Sequence, residues 1–224
     1  MRFGRRRFRV RAALYDESIT AQRSVGIVLF EGFELLDVFG PVELLSVLPE
    51  EYEVTYLADE PGPVRSSQGA EVVATESLAD ARSPDIVLIP GGAGTRLLVD
   101  DEVFLDRLVS WASPAPLVAS VCTGSAVLAA AGLLEGYRAT SNKRAFTWAA
   151  THGDDVEWVP HARWVEDRDR WTSSGVAAGM DMTAALIAHL SGRQAALDAA
   201  RIIELEVHDD PDWDPFAEHY GLGR

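Results

Sequence analysis

Nucleophilic chemistry in this chain has one place to start. Cys122 is the only cysteine, and it stands where the sequence pattern changes. In LVASVCTGSAVLAAAG, Leu117 to Gly132, an apolar, strand-like run stops at the cysteine and a run of small, helix-compatible residues begins. A sharp strand-to-helix turn at that point would lift the sulfur out of the core, as a nucleophile elbow does. The free N–H groups and dipole of the helix that follows favour an anion, which predicts an exposed thiol with a lowered pKa. Thr123, Gly124, Ser125 and Ala126 are small enough to let that helix approach closely. The competing reading is a small buried hydrophobe, the usual condition of a free cysteine.

Two other segments carry groups that suit a reactive sulfur. In IPGGAG, Ile89 to Gly94, a strand ends in Gly91 and Gly92. Their main-chain N–H groups are expected to face the same rim and to hold developing negative charge. A plain tight turn is the alternative. In FELLDVFGP, Asp37 sits among Leu35, Leu36, Val38 and Phe39, a setting in which a carboxylate is not fully solvated. A carboxyl group there could exchange a proton with a thiol and act as acid or base. The alternative is a turn or cap aspartate ahead of Pro41.

The elements that must position these residues alternate along the chain. Ser24–Phe30, Glu53–Ala58, Asp85–Pro90 and Leu117–Val121 read as short buried strands. Val64–Thr75 has strand-like ends around Gln68-Gly69 and reads as a hairpin. Glu34–Leu48 is helical in pattern but interrupted at Gly40-Pro41, with Pro41 suited to a first helical turn. Val103–Trp111, Thr123–Ala131, Ala145–Ala150, Ala177–Leu190 and Gln194–Glu206 read as helices. Val156–Val159 and Arg163–Thr172 read as antiparallel strands. This alternation predicts a three-layer α/β/α sandwich around a mainly parallel, doubly wound (flavodoxin-like) sheet. In such sheets ligands bind beyond the carboxyl ends of the strands, where Cys122 falls. One domain is expected over residues 24–206, preceded by a disordered Arg-rich leader, 1–23, and followed by an irregular tail, 207–224.

Composition narrows the function. The chain has 20 basic and 35 acidic residues, a net charge of −15. Six of the basic residues are arginines in MRFGRRRFRVR, and Lys143 is the only lysine. The acidic remainder disfavours nucleic acid and anionic membrane as partners. No apolar run approaches the ~18 residues of a membrane helix. A single cysteine cannot form an internal disulfide, which suits a cytoplasmic protein. No metal-ligand cluster or nucleotide fingerprint is evident, so no cofactor is expected.

Taken together, LFEGFELLDVFGPVELL, DIVLIPGGAG, SVCTGSAVLAAAGLLEG and TSSGVAAGMDM resemble the ThiJ/PfpI family, within the class I glutamine amidotransferase-like superfamily. The resemblance runs from about Val25 to Leu190, and the chain looks most like the isonitrile hydratase branch. It implies Cys122, Thr123 and Asp37 as the catalytic set, and a homodimer. The implied activity is a lyase-type hydration of a small isonitrile to an N-substituted formamide. Gly175, in the last of these motifs, is expected to line the substrate rim with Gly91 and Gly92, while Asp181 opens the following helix. Protease-like members carry a histidine directly after the cysteine; Thr123 occupies that place here. The Thr-His-Trp run usual in the hydratase branch is replaced by ATSNKRAFTWA, in which Lys143 and Arg144 either line the mouth of the site or open the following helix and point to solvent. His161, in VPHARW, reads as a packed or surface residue, the alternative being that it faces the site. The alternatives are a stress or redox sensor with an oxidisable cysteine, and a glyoxalase- or deglycase-like activity on a 2-oxoaldehyde.

Overall fold

The structure, a computed structural model, describes residues 22–222. The arginine-rich leader therefore lies outside the described residues, apart from Gln22 and Arg23, which opens the first strand. Seven strands form the central sheet. β1 (Arg23–Val28) is followed by β2 (Tyr52–Ala58), and the hairpin β3 (Gly62–Arg65) and β4 (Glu71–Ala74) forms a small sheet of its own. Next come β5 (Glu76–Ser77), β6 (Ile86–Ile89) and β7 (Leu117–Ser120). β8 (Arg138–Ala139) pairs in parallel with β9 (Glu157–Trp158), outside the main sheet. β10 (Trp164–Asp167) and β11 (Arg170–Ser173) close one edge. The order is β10-β11-β7-β6-β1-β2-β5, and every pair is parallel except β10 with β11. The mainly parallel, doubly wound arrangement expected from the sequence is present.

Strand periodicity divides the core in two. Val25 and Ile27 of β1, Ile86 and Leu88 of β6, and Leu117 and Ala119 of β7 face one layer. Val28, Val87, Ile89 and Val118 face the other. The first layer is covered by helices α1 (Leu35–Ser46), α6 (Ala178–Ser191) and α7 (Arg193–Ile202). The second is covered by α3 (Glu102–Ala112) and α4 (Gly124–Ala130). Among the described residues there are also three single-turn helices, α2 (Thr95–Leu98), α5 (Phe146–Ala149) and α8 (Phe216–His219), and a 3-10 turn at Lys143–Ala145.

Two expectations need correction. Pro41 does not begin a helix; it lies inside α1. By the i→i−4 rule its ring removes the hydrogen bond to the Asp37 carbonyl. The helix continues because Val38, Leu44 and Leu45, on both sides of the proline, are buried against the sheet. The run Arg163–Thr172 is two strands folded on each other, with Arg168 in the left-handed region (φ 56°) at the turn. Val156–Val159 does not join them: Glu157 and Trp158 pair in parallel with β8.

Candidate active site

The chain runs from β1 to β2 on one side and then returns to β6 on the other, so β1 and β6 flank the point where the winding reverses. Asp37 follows β1, Gly91 follows β6 and Cys122 follows β7, all beyond carboxyl ends of neighbouring strands. Ligands bind at this place in doubly wound sheets. Cys122 has φ 58°, a conformation that a non-glycine residue keeps only when its surroundings fix it. They do so here. Its N–H donates to the Ser174 carbonyl (3.2 Å). Its carbonyl accepts from Ser125 Oγ (3.1 Å) and Ser141 Oγ (3.0 Å). The elbow expected from the sequence is therefore present in the backbone.

Asp37 reaches the cysteine through the loop after β1. The Glu34 N–H donates to the Gly91 carbonyl (2.8 Å), and the Gly91 N–H donates back to Asp37 Oδ2 (2.8 Å). The side chain has no exposed surface, and its Oδ1 is buried without a hydrogen-bond partner. Burial pushes the carboxyl up to about 7; the Gly91 N–H opposes this, the charge of Glu34 adds to it, and the nearby Cys122 thiol opposes it. Thiol and carboxyl thus bear on each other's titration, although no well-formed hydrogen bond joins them.

The lowered thiol pKa predicted from the helix start is not what the geometry produces. Cys122 is only 6% exposed, and burial pushes its thiol up, with the charge of Asp37 adding to the rise. The N–H groups of Thr123 and Val176 and the Thr123 hydroxyl act on the sulfur in the opposite sense but do not outweigh burial. Burial favours the neutral form of both groups, and each one's charge bears on the other.

The glycines lie at the site, with a different task from the one predicted. The Gly91 N–H is taken by Asp37 Oδ2, and the Gly92 N–H by Thr123 Oγ1 (3.1 Å), so neither is free for a developing anion. What Gly91 supplies is room: a Cβ there would stand 2.5 Å from the Thr123 nitrogen and 2.8 Å from Cys122 Cβ. Gly175 likewise has no space for a Cβ, which would overlap the Asn142 amide. The donors that do face the sulfur, Thr123 N–H and Val176 N–H, come from the two segments at the starts of α4 and α6. Val176 also has a positive φ (39°), and nothing in its residue type announces that conformation.

The segment expected to line the mouth is divided. Ser141 holds the elbow, and Asn142 packs on Gly175 while its Oδ1 caps Ala145 N–H (3.1 Å). Lys143 is not at the mouth. It is 3% exposed, and its ammonium donates to Thr140 Oγ1 (2.7 Å) and the Ala162 carbonyl (2.5 Å). Burial lowers it to about 8, with Asp214 opposing and Arg163 adding. Arg144 is exposed, with no ion pair among the described residues. His161 is half-buried and only its carbonyl is engaged, by Asp214 N–H (2.8 Å).

The cation that does stand near the sulfur is Arg96, in the first turn after IPGGAG. Its Nη1 donates to Thr95 Oγ1 (3.1 Å), which is in turn 3.1 Å from Thr123 Oγ1. Its guanidinium stacks 3.3 Å over the Trp148 ring, whose edge meets His152 with ring centroids 4.8 Å apart. The Cys122 sulfur is close enough to bear on the titration of Arg96. The sequence reading missed this residue because a lone arginine after a glycine turn carries no signal without its distant partner, Trp148. No group of three or more His, Cys, Asp or Glu among the described residues is arranged to hold a metal.

Known proteins share this fold. The chain is 36% identical over 188 residues to the isonitrile hydratase of Pseudomonas putida, covering 84% of this chain and 78% of that one. Among solved structures, a ThiJ/PfpI family protein from Pseudomonas syringae superposes with a TM-score of 0.78 at 27% identity, covering 89% of this chain and 83% of that one. Drosophila melanogaster DJ-1beta shares the fold, with a TM-score of 0.71 at 22% identity over 83% of this chain and 99% of that one. Residues 23–189 match the DJ-1/PfpI family as a whole, and it is to this family that the chain belongs.

Proposed function

We propose that the protein is a cysteine-dependent lyase that hydrates a small isonitrile to an N-substituted formamide. The observation that carries this reading is the pairing of Cys122, held on the elbow, with a buried Asp37 carboxyl that keeps one oxygen unpartnered and that burial pushes up to about 7. Hydration of an isonitrile needs a nucleophile and a mobile proton at the same carbon, with no electrons gained or lost. In the first half, Cys122 sulfur bonds to the terminal carbon while Asp37 takes the thiol proton and passes it to that carbon. The product is a thioimidate, R–N=CH–S–Cys122. In the second half, water adds to the same carbon, Asp37 receives its proton, the C–S bond breaks and the thiol is reprotonated. The released R–N=CH–OH tautomerises to the formamide R–NH–CHO. Thr123 and Val176 N–H groups hold the sulfur while it carries charge, and the Thr123 hydroxyl orients it.

The same reading takes the protein as cytoplasmic, homodimeric and independent of any cofactor, nucleic acid or membrane. Its acidic charge supports the absence of nucleic acid, and no described helix is long and apolar enough to cross a membrane. A redox sensor has less support, because reversible oxidation favours an exposed thiolate. The direct test is conversion of a small alkyl isonitrile followed by NMR, with intact-protein mass spectrometry of the trapped adduct. Formamide should form with the wild type and neither product nor adduct with Cys122→Ser. Consumption of a 2-oxoaldehyde without any isonitrile hydration would transfer the assignment to the glyoxalase-like alternative.

A further inference from the structure

Among the described residues, Arg96 has donors that no partner takes up. One nitrogen is held by Thr95 Oγ1, and that hydroxyl also donates to the Gly92 carbonyl (2.7 Å), which fixes the base of the side chain against the site. Stacking on Trp148 fixes the guanidinium plane. Among the described residues no carboxylate lies within ion-pair distance of it, although the chain is strongly acidic. The residue remains exposed, so its remaining N–H groups face solvent. A planar fork, held in place on an aromatic ring and left without an anion, matches the geometry of a carboxylate. The hydroxyl chain Arg96–Thr95–Thr123 joins this fork to the residue next to the nucleophile.

We infer that Arg96 is a specificity-determining residue that receives the carboxylate of an anionic substrate whose electrophilic carbon is presented to Cys122. This rests on the hydratase reading and names its substrate class: an isocyano carboxylate, converted to the corresponding N-formyl amino acid by the addition of one water. The carboxylate itself is unchanged in the reaction. Trp148 serves as the platform that orients the fork, and Lys143, which the sequence had put forward for this role, is excluded by its burial.

The experiment can be separated from turnover, because Cys122 is the only thiol. Iodoacetate and iodoacetamide alkylate sulfur by the same displacement: an S–C bond forms, iodide leaves, and the thiol proton is lost. They differ in charge at the remote group. Loss of Arg96 through its effect on the sulfur alone would slow both reagents alike, so the ratio of their rates isolates recognition of the carboxylate. Arg96→Gln should lower the iodoacetate-to-iodoacetamide ratio roughly tenfold, as loss of a charge-assisted contact implies, with molar salt reducing the wild-type preference. Arg144→Gln, which removes an exposed cation from the segment beside Trp148, should leave the ratio unchanged. A ratio within twofold of wild type in Arg96→Gln, an equal fall in Arg144→Gln, or failure of either reagent to reach Cys122 overturns the inference. A positive result stands even if isonitriles prove not to be substrates, in which case the anionic preference passes to another electrophile.

Discussion

A carboxyl group with no exposed surface is an unusual proton carrier, and Asp37 should leave a signature in both activity and stability. In the proposed chemistry the ionised carboxylate accepts the thiol proton, so kcat/KM should rise with pH through about 7 and then level off. Stability should run the other way. The unfolded aspartate titrates near its ordinary value of 3.8 and the native one near 7, so between these values the native state holds a proton that the unfolded chain has lost. The contribution is fully present below the unfolded pKa and is lost as pH rises through the folded one, a span of about 4 kcal/mol. Asp37→Asn should abolish the rising limb of activity and flatten this part of the stability curve, measured by chemical denaturation at pH 4 to 8. An unchanged stability profile would mean that Asp37 is ionised in the native state. At this scale the sequence was informative about Cys122 and Asp37, because each stands out against its immediate neighbours. It misjudged the thiol because burial depends on what packs over it from residues 141 and 174–176, which lie far along the chain.

At the scale of elements, close approach between segments shapes the site more than any single side chain. The start of α6 comes against the segment after β8 at Gly175 and Asn142, and that approach carries Val176 N–H to the sulfur. A methyl group at 175 would displace the Asn142 amide, and with it the cap on Ala145 N–H. Gly175→Ala should therefore lose about 1–3 kcal/mol, the usual cost of overpacking, and lower activity further than stability accounts for. The companion change Asn142→Ser removes the obstructing amide and keeps a side chain able to cap Ala145 N–H. The double variant should recover most of the lost stability in a thermal melt. Additive losses would show that something other than the Asn142 amide resists a methyl group at 175. The sequence revealed the elements that punctuation marks: the glycine turn after β6, the small residues of α4, the β3–β4 hairpin. The turn between β10 and β11 stayed hidden because Arg168 takes a left-handed conformation where Gly or Asn is the usual signal. Pro41 misled for the opposite reason: a strong local breaker is overridden by packing on both sides of it.

The molecule as a whole is held closed by charges that the net figure of −15 conceals. Arg163, just before β10, donates from Nε (2.7 Å) and Nη2 (2.6 Å) to Asp181 Oδ2 in the first turn of α6, and its Nη1 lies 4.0 Å from Asp214. The side chains of this group are 11%, 5% and 1% exposed. The backbone ties the same pieces: Arg163 N–H donates to the Pro211 carbonyl (2.7 Å), and His208 N–H to Asp181 Oδ1 (2.9 Å). The segment after α7 is thus docked on β10 and on the start of α6, close to the Val176 turn that faces Cys122. A buried pair adds little over an apolar replacement, but removing one partner leaves the other charge buried and alone. Arg163→Ala would strand the buried Asp181 carboxylate, while Asp214 keeps the Lys143 ammonium nearby, so a loss of about 3–5 kcal/mol is expected. For a domain of this size that corresponds to a fall in Tm of roughly 10 °C. Salt should not restore it, since screening scarcely reaches buried charges. A variant that melts within 2 °C of wild type would show that solvent reaches Asp181, and that the backbone hydrogen bonds to Pro211 and His208, with the apolar contacts, hold the C-terminal segment without the ion pair.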